Sequence, residues 1–241
     1  MSAVARAVGV VVPVHDEEEL LPRCLTALDV AVRTARAADP GLVVEVVLVL
    51  DACTDRSAQI VSDAGFATLP VTVDARTVGV ARATGVRAAL ARLAARGVEP
   101  GGVWVASTDA DSAVPPHWLT HQLDLAREGA DVVVGTVRPD PADLTPRQRA
   151  AWAATHTLGV ANGHVHGANL GMRADVYLDA GGYPPVPEHE DVELVAATRR
   201  RGARLVATDG CWVLTSGRSI GRTPGGYARH LREDLVEERA S

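Results

Sequence analysis

The chain has 241 residues, 47% of them hydrophobic but only 3% aromatic, so its core must be aliphatic, built from Val, Leu and Ala. That length suits one α/β domain or two small ones and is enough to bury a large core. A formal charge of −6, from 24 basic and 30 acidic residues, argues against a nucleic-acid binder, which carries a basic stripe.

Val8 to Val14 is an apolar run ending at His15-Asp16-Glu17, a buried strand with its carboxyl end at a polar cluster. From Glu18 to Ala38, Leu20, Leu21, Cys24, Leu25, Leu28 and Val32 recur near one helical face, and Asp39-Pro40-Gly41 stops it. Leu42 to Leu50 reads as a second strand running into Asp51. A capped helix follows from Arg56 to about Ala64, and Ala67 to Val73 is a third strand. Gly79 to Arg96 is helical, and Val103 to Ser107 is a strand that delivers Asp109-Ala110-Asp111. Pro115-Pro116 opens a helix to about Glu128, and Asp131 to Val137 is the next strand.

The first 137 residues thus alternate strand and helix, which implies a mostly parallel sheet flanked by helices. The rest is less regular. Pro139 to Pro146 reads as a loop, Thr145 to Gly159 as a helix, and Val165 to Met172 as a strand. Glu190 to Arg201 reads as a helix and Leu205 to Ala207 as a short strand. Thr215 to Gly226 reads as a Gly-rich mobile loop, and Tyr227 to Glu238 as an amphipathic helix. No linker separates two folds.

Three scattered cysteines, Cys24, Cys53 and Cys211, suit a reducing compartment better than a disulfide scaffold. No basic region precedes an apolar run at the N-terminus, and no apolar stretch approaches the ~18 residues of a membrane span. The expectation is a cytoplasmic protein without a transmembrane segment.

Polar clusters follow strand ends, where open α/β sheets bind ligands. Two carboxylates one residue apart, Asp109 and Asp111, can grip a divalent ion and leave positions for phosphate oxygens. The plainer reading is a helix N-cap region ahead of Pro115. Asp51 could likewise cap the helix after it, Arg82 could be a surface helix residue, and Glu190-Asp191 could only complement a helix dipole. Asp55 reads as a cap, Cys24 as core, and Arg199 to Arg201 as a solvated helix end. His164 and His166 hint at a metal pair with Cys211 or His189, but no third ligand has a telling spacing.

Several segments in order resemble the family 2 glycosyltransferases. They are Val11-Val12-Pro13-Val14-His15-Asp16-Glu17, Val49-Leu50-Asp51-Ala52-Cys53-Thr54-Asp55, and Gly79-Val80-Ala81-Arg82-Ala83-Thr84-Gly85. Asp109-Ala110-Asp111, His166-Gly167-Ala168-Asn169 and Glu190-Asp191 continue the series. The resemblance implies a single GT-A domain, a nucleotide-diphospho-sugar transferase fold, and an inverting enzyme. Residues 8–137 would form the nucleotide and metal half, and 138–241 the acceptor and catalytic-base half. Pro13, His15 and Glu17 would line the base and ribose pocket, Asp51 would accept from the base, and Arg82 would lie near the nucleotide. Asp109 and Asp111 would hold Mn²⁺ or Mg²⁺ on the diphosphate of a nucleotide-sugar donor. Asn169, with Gly167-Ala168, would border the donor sugar. Asp191 would deprotonate the hydroxyl of a small or carrier-linked acceptor, with Glu190 beside it.

The chain departs from the family pattern. Asp16 and Thr84 replace Asn, and where family members often carry a late His that completes the metal site this chain has Val213-Leu214-Thr215-Ser216-Gly217-Arg218, with no His among them. Ser216 could help there, and Arg218 and Arg222 could contact the diphosphate. The competing readings are a sugar-phosphate nucleotidyltransferase and a non-catalytic binding module on a degenerate glycosyltransferase fold.

Overall fold

The computed structural model describes residues 5–221, 225–233 and 235. One sheet of seven strands organises the chain, in the order β3-β2-β1-β4-β6-β5-β7. These are β1 (Ala7–Val14), β2 (Val43–Asp51), β3 (Leu69–Val73), β4 (Val103–Ser107), β5 (Val132–Pro139), β6 (Leu170–Arg173) and β7 (Leu205–Thr215). β1 pairs in parallel with both β2 and β4, and β2 with β3, as the strand–helix alternation predicts. The exception is β6, antiparallel to both β4 and β5.

The strands at the centre are Val runs because both their faces are covered. On one face α1 (Leu21–Ala38) buries Leu21, Cys24, Leu25, Leu28 and Val32, and α4 (Trp118–Arg127) adds Trp118 and Leu119. α3 (Val78–Ala94) covers the other face through Ala81, Val86, Ala89 and Leu93. α3 packs closely on the valine side chains of β1 and β2. A Cβ at Gly85 would stand 2.4 Å from Val11 Cγ1 and 2.8 Å from Val49 Cγ2, so only glycine permits this approach. That seat fixes the height of Arg82, one turn earlier.

Several boundaries differ from expectation. The strand expected from Val165 begins at Leu170, because residues 167–169 form a 3₁₀ turn. The strand expected over Leu205 to Ala207 runs to Thr215: it follows β5 in parallel, with a register shift between Gly135 and Val137. A short helix, α6 (Ala174–Asp179), was not anticipated; α2 is Ser57–Ser62 and α5 is Pro146–Thr155. α7 spans Glu190–Arg200 and α8 spans Tyr227–Arg232. Among the described residues no helix is long and apolar enough to cross a membrane.

Candidate active site

A cavity of about 560 Å³ opens at the carboxyl ends of β1, β2 and β4, within the size range of small-molecule sites. It gathers Pro13, His15, Glu17, Asp51, Arg82, Asp109, Asp111, Glu190 and Asp191 from five different segments.

On the β2 side, Asp51 is 4% exposed and its carboxylate is organised by backbone. The amides of Ala75 and Arg76 donate to Oδ1 at 2.7 and 2.9 Å, and that of Thr77 to Oδ2 at 3.2 Å. It therefore caps a loop, not the helix that follows β2, and the Oδ2 side keeps acceptor capacity. The His15 ring lies with Nδ1 2.6 Å from the Asp51 carbonyl, so Nδ1 carries the proton and, in the neutral ring, Nε2 is left as an acceptor. Asp16 and Asp55 are caps: Asp16 accepts from the amides of Thr54 and Asp55, and Asp55 from those of Glu18 and Ser57.

Arg82 is no surface residue; it is 2% exposed. Its Nε donates to Glu190 at 2.9 Å, and its Nη2 pairs with Asp109. Burial alone would lower its pKa, but Asp109 and Glu190 outweigh that and hold the guanidinium charged. Gly167 makes room for it, since a Cβ there would meet Arg82 Nη2. One buried cation thus ties the aspartate pair to the start of α7.

Asp111 is pushed up to about 6, first by burial and then by the neighbouring Asp109, with Arg218 pulling the other way. Arg218 stands 3.0 Å from Asp111 and also grips both carboxylate oxygens of Glu17, at 2.9 and 2.6 Å. A cation already occupies the point where carboxylate charge accumulates. The donors nearby are hard oxygens: Asp109, Asp111 and the Thr215 hydroxyl 3.5 Å from Asp111. That set fits Mg²⁺ or Mn²⁺ shared with phosphate oxygens. Among the described residues no three His, Cys, Asp or Glu side chains are grouped to hold an ion by themselves. Arg222 lies outside the described residues.

Asp191 opens α7. Its Oδ2 accepts from the Gly167 amide at 2.6 Å and its Oδ1 from the Val192 amide at 2.8 Å. Burial raises its pKa, opposed chiefly by Arg82; Glu190 is raised for the same leading reason. His189 just before them holds φ at +63°, an uncommon conformation for a non-glycine residue.

Asn169 departs from its expected donor contact. It is fully buried, does not line the cavity, and spends its amide on structure. It donates to the carbonyls of Thr136 and Cys211 at 2.9 Å each, and accepts from Trp118 Nε1 at 2.8 Å. It braces the turn that presents Gly167. The grip of Arg218 on Glu17 has no signature in local sequence, because the two lie 201 positions apart.

The model of glycosyl transferase family 2 matches residues 9–177. The chain belongs to that family. An undecaprenyl-phosphate 4-deoxy-4-formamido-L-arabinose transferase of Pseudomonas paraeruginosa is 32% identical over 168 residues, which is 63% of this chain. That match spans only 44% of the relative's length. TarS of S. aureus, residues 1–349, superposes with a TM-score of 0.62 at 16% identity, over 88% of this chain and 60% of that one. A mannosyltransferase of Pyrobaculum calidifontis, in complex with GDP-Man and Mn²⁺, does so with a TM-score of 0.55 at 22% identity, over 90% and 58%. These likenesses establish the GT-A fold expected from the sequence, a single α/β domain around a mostly parallel sheet.

Proposed function

We propose that the chain transfers a sugar from a nucleotide-diphosphate donor to an acceptor hydroxyl, with inversion at the anomeric carbon. The observation that carries this reading is that Asp191 and the Asp109–Asp111 pair open into one cavity, linked through Arg82 and Glu190. Residues 8–137 supply the nucleotide side and residues 138–241 most of the acceptor side.

The nucleoside lies against Pro13, His15 and Asp51. Asp109 and Asp111 hold Mn²⁺ or Mg²⁺ together with the diphosphate; when bound, the ion neutralises charge on the leaving group. The P. calidifontis relative with Mn²⁺ supports that choice of ion. Arg218 leaves Asp111 when donor enters and turns to the diphosphate. Asp191 takes the acceptor proton as the oxygen bonds to the anomeric carbon and the bond from that carbon to the diphosphate breaks. Its raised pKa, set mainly by burial, makes it a stronger base than an exposed carboxylate. Glu190 keeps Arg82 in place and leaves the base role to Asp191.

A thermal-shift screen with UDP, GDP and dTDP, each with and without Mn²⁺, tests the donor site. Ligand at ~100 times its Kd adds roughly 2.7 kcal/mol of stability. A shift that needs both Mn²⁺ and one of these nucleotides is expected. No shift with any of them would sink the transferase reading and favour a binding module on this fold.

A further inference from the structure

One end of the cavity is built unlike the rest. His156, His164, His166 and His230, half of the chain's eight histidines, line it together with Tyr227. The rings form a continuous wall. His164 lies 6.2 Å from His166 and 6.4 Å from His230, centroid to centroid, and Tyr227 packs edge-on to His166 at 5.6 Å and stacks with His230 at 6.0 Å. His156 stacks on Trp152 at 4.4 Å, which steadies the far end of the wall.

Among the described residues the ring nitrogens of His164 and His166 have no hydrogen-bond partner; their interactions are ring contacts. Polar atoms on a cavity wall that no protein group satisfies are available to a ligand. His166 is held down to about 4, first by burial and then by His164, His230 and His156. Imidazoles that disfavour one another's charge are brought into accord by an anion, which favours the protonated form of each. The chain has no lysine, so its cations near neutral pH are arginines and whichever histidines an anion can charge. The wall also abuts the proposed base, because Gly167, next to His166, donates its amide to Asp191.

We propose that the histidine wall is the acceptor subsite and that it takes an acceptor bearing a phosphate or carboxylate group. The inference rests on the transferase reading above. The wall holds the anionic group away from Asp109 and Asp111 while the reacting oxygen reaches Asp191. His164 and His166 are specificity-determining residues here, because they contact the part of the acceptor that does not react.

The test is a titration of the full chain, stripped of metal on a chelating resin, with inorganic phosphate, read by long-range ¹H–¹⁵N correlation of the histidine rings. The resin step keeps metal-bound phosphate off the two aspartates without adding a competing anion, and His164→Asn and His166→Asn assign the signals. The expected result is a saturable shift of the His164 and His166 rings, with phosphate binding weakened about tenfold or more in His164→Asn, a loss suited to a charge-assisted hydrogen bond. Rings unmoved by phosphate, or moved equally by glycerol, would overturn the proposal, the second outcome pointing to a neutral polyol. Displacement of phosphate by soluble glycerol 3-phosphate identifies a water-borne acceptor. Displacement only by vesicles containing phosphatidylglycerol, which carries free hydroxyls beside its phosphodiester, identifies a lipid-borne one, and displacement by neither counts against an acceptor role. The nucleotide screen fails separately: phosphate-responsive rings without nucleotide stabilisation would sink the transferase reading, and the reverse would sink only this subsite.

Discussion

Arg82→Ala removes the cation between Glu190 and Asp109. The Glu190 side chain is 6% exposed and that of Asp109 35%, so most of the cost falls on Glu190, while solvent screens part of the charge on Asp109. Breaking a buried pair by deleting one partner costs about 3–5 kcal/mol. For a domain of this size each kcal/mol moves Tm by about 2–4 °C, so a fall of about 6–20 °C is expected. The sign of the pH dependence follows from Glu190. Its folded pKa is already raised by burial, with Arg82 as the largest opposing influence, so the substitution raises it further. A raised carboxylate favours the folded state at low pH and loses that advantage as pH rises through the folded pKa. The deficit of Arg82→Ala relative to the parent should therefore be larger at pH 8 than at pH 5. Urea denaturation of both proteins at the two pH values measures it. A loss under about 1 kcal/mol, as for an exposed pair, would refute the buried bridge, and equal deficits at both pH values would refute the role given to Glu190.

Asp191→Asn should leave donor affinity near the parent value and lower kcat by about 10²–10⁴-fold, measured by donor turnover with a competent acceptor. A loss under tenfold would move the base elsewhere. Asp111→Ala should abolish the Mn²⁺-dependent part of nucleotide stabilisation; an unchanged Mn²⁺ response would remove Asp111 from the metal site. Gly85→Ala should destabilise by about 1–3 kcal/mol through overpacking against Val11 and Val49, read as a lower urea midpoint. A neutral result there would mean that α3 can lift off the sheet.

How far the sequence spoke depended on the range of the interactions. β1, β2 and β4 were legible because each is an apolar run with a polar cluster at its end, and that pattern also placed Asp51, Asp109 and Asp111. The length of β7 was not, because Thr208-Asp209-Gly210 reads locally as a turn. In the structure Asp209 is satisfied from outside its own segment, by the Thr136 hydroxyl and by Arg138 at 2.6 Å, which lets the strand continue. Arg82 looked ambiguous because its partners lie 27 and 108 positions away. The position of Asn169 was readable from its motif, yet its work was not, since Trp118, Thr136 and Cys211 converge on it only once the sheet is assembled.

The amide cradle around Asp51 has a consequence for how a ligand arrives. Three backbone donors hold that carboxylate, and His15 is pinned to the same residue's carbonyl, so this wall is fixed before any ligand comes. The opposite wall is closed by Arg218, whose ion pairs with Glu17 and Asp111 are side-chain contacts that another charge can replace. One jaw of the cleft is stationary and the other is exchangeable. On the proposed donor reading, entry and release of a diphosphate should then follow the rate at which one guanidinium trades carboxylates for phosphates, and the choice of base should be insensitive to the exchangeable jaw.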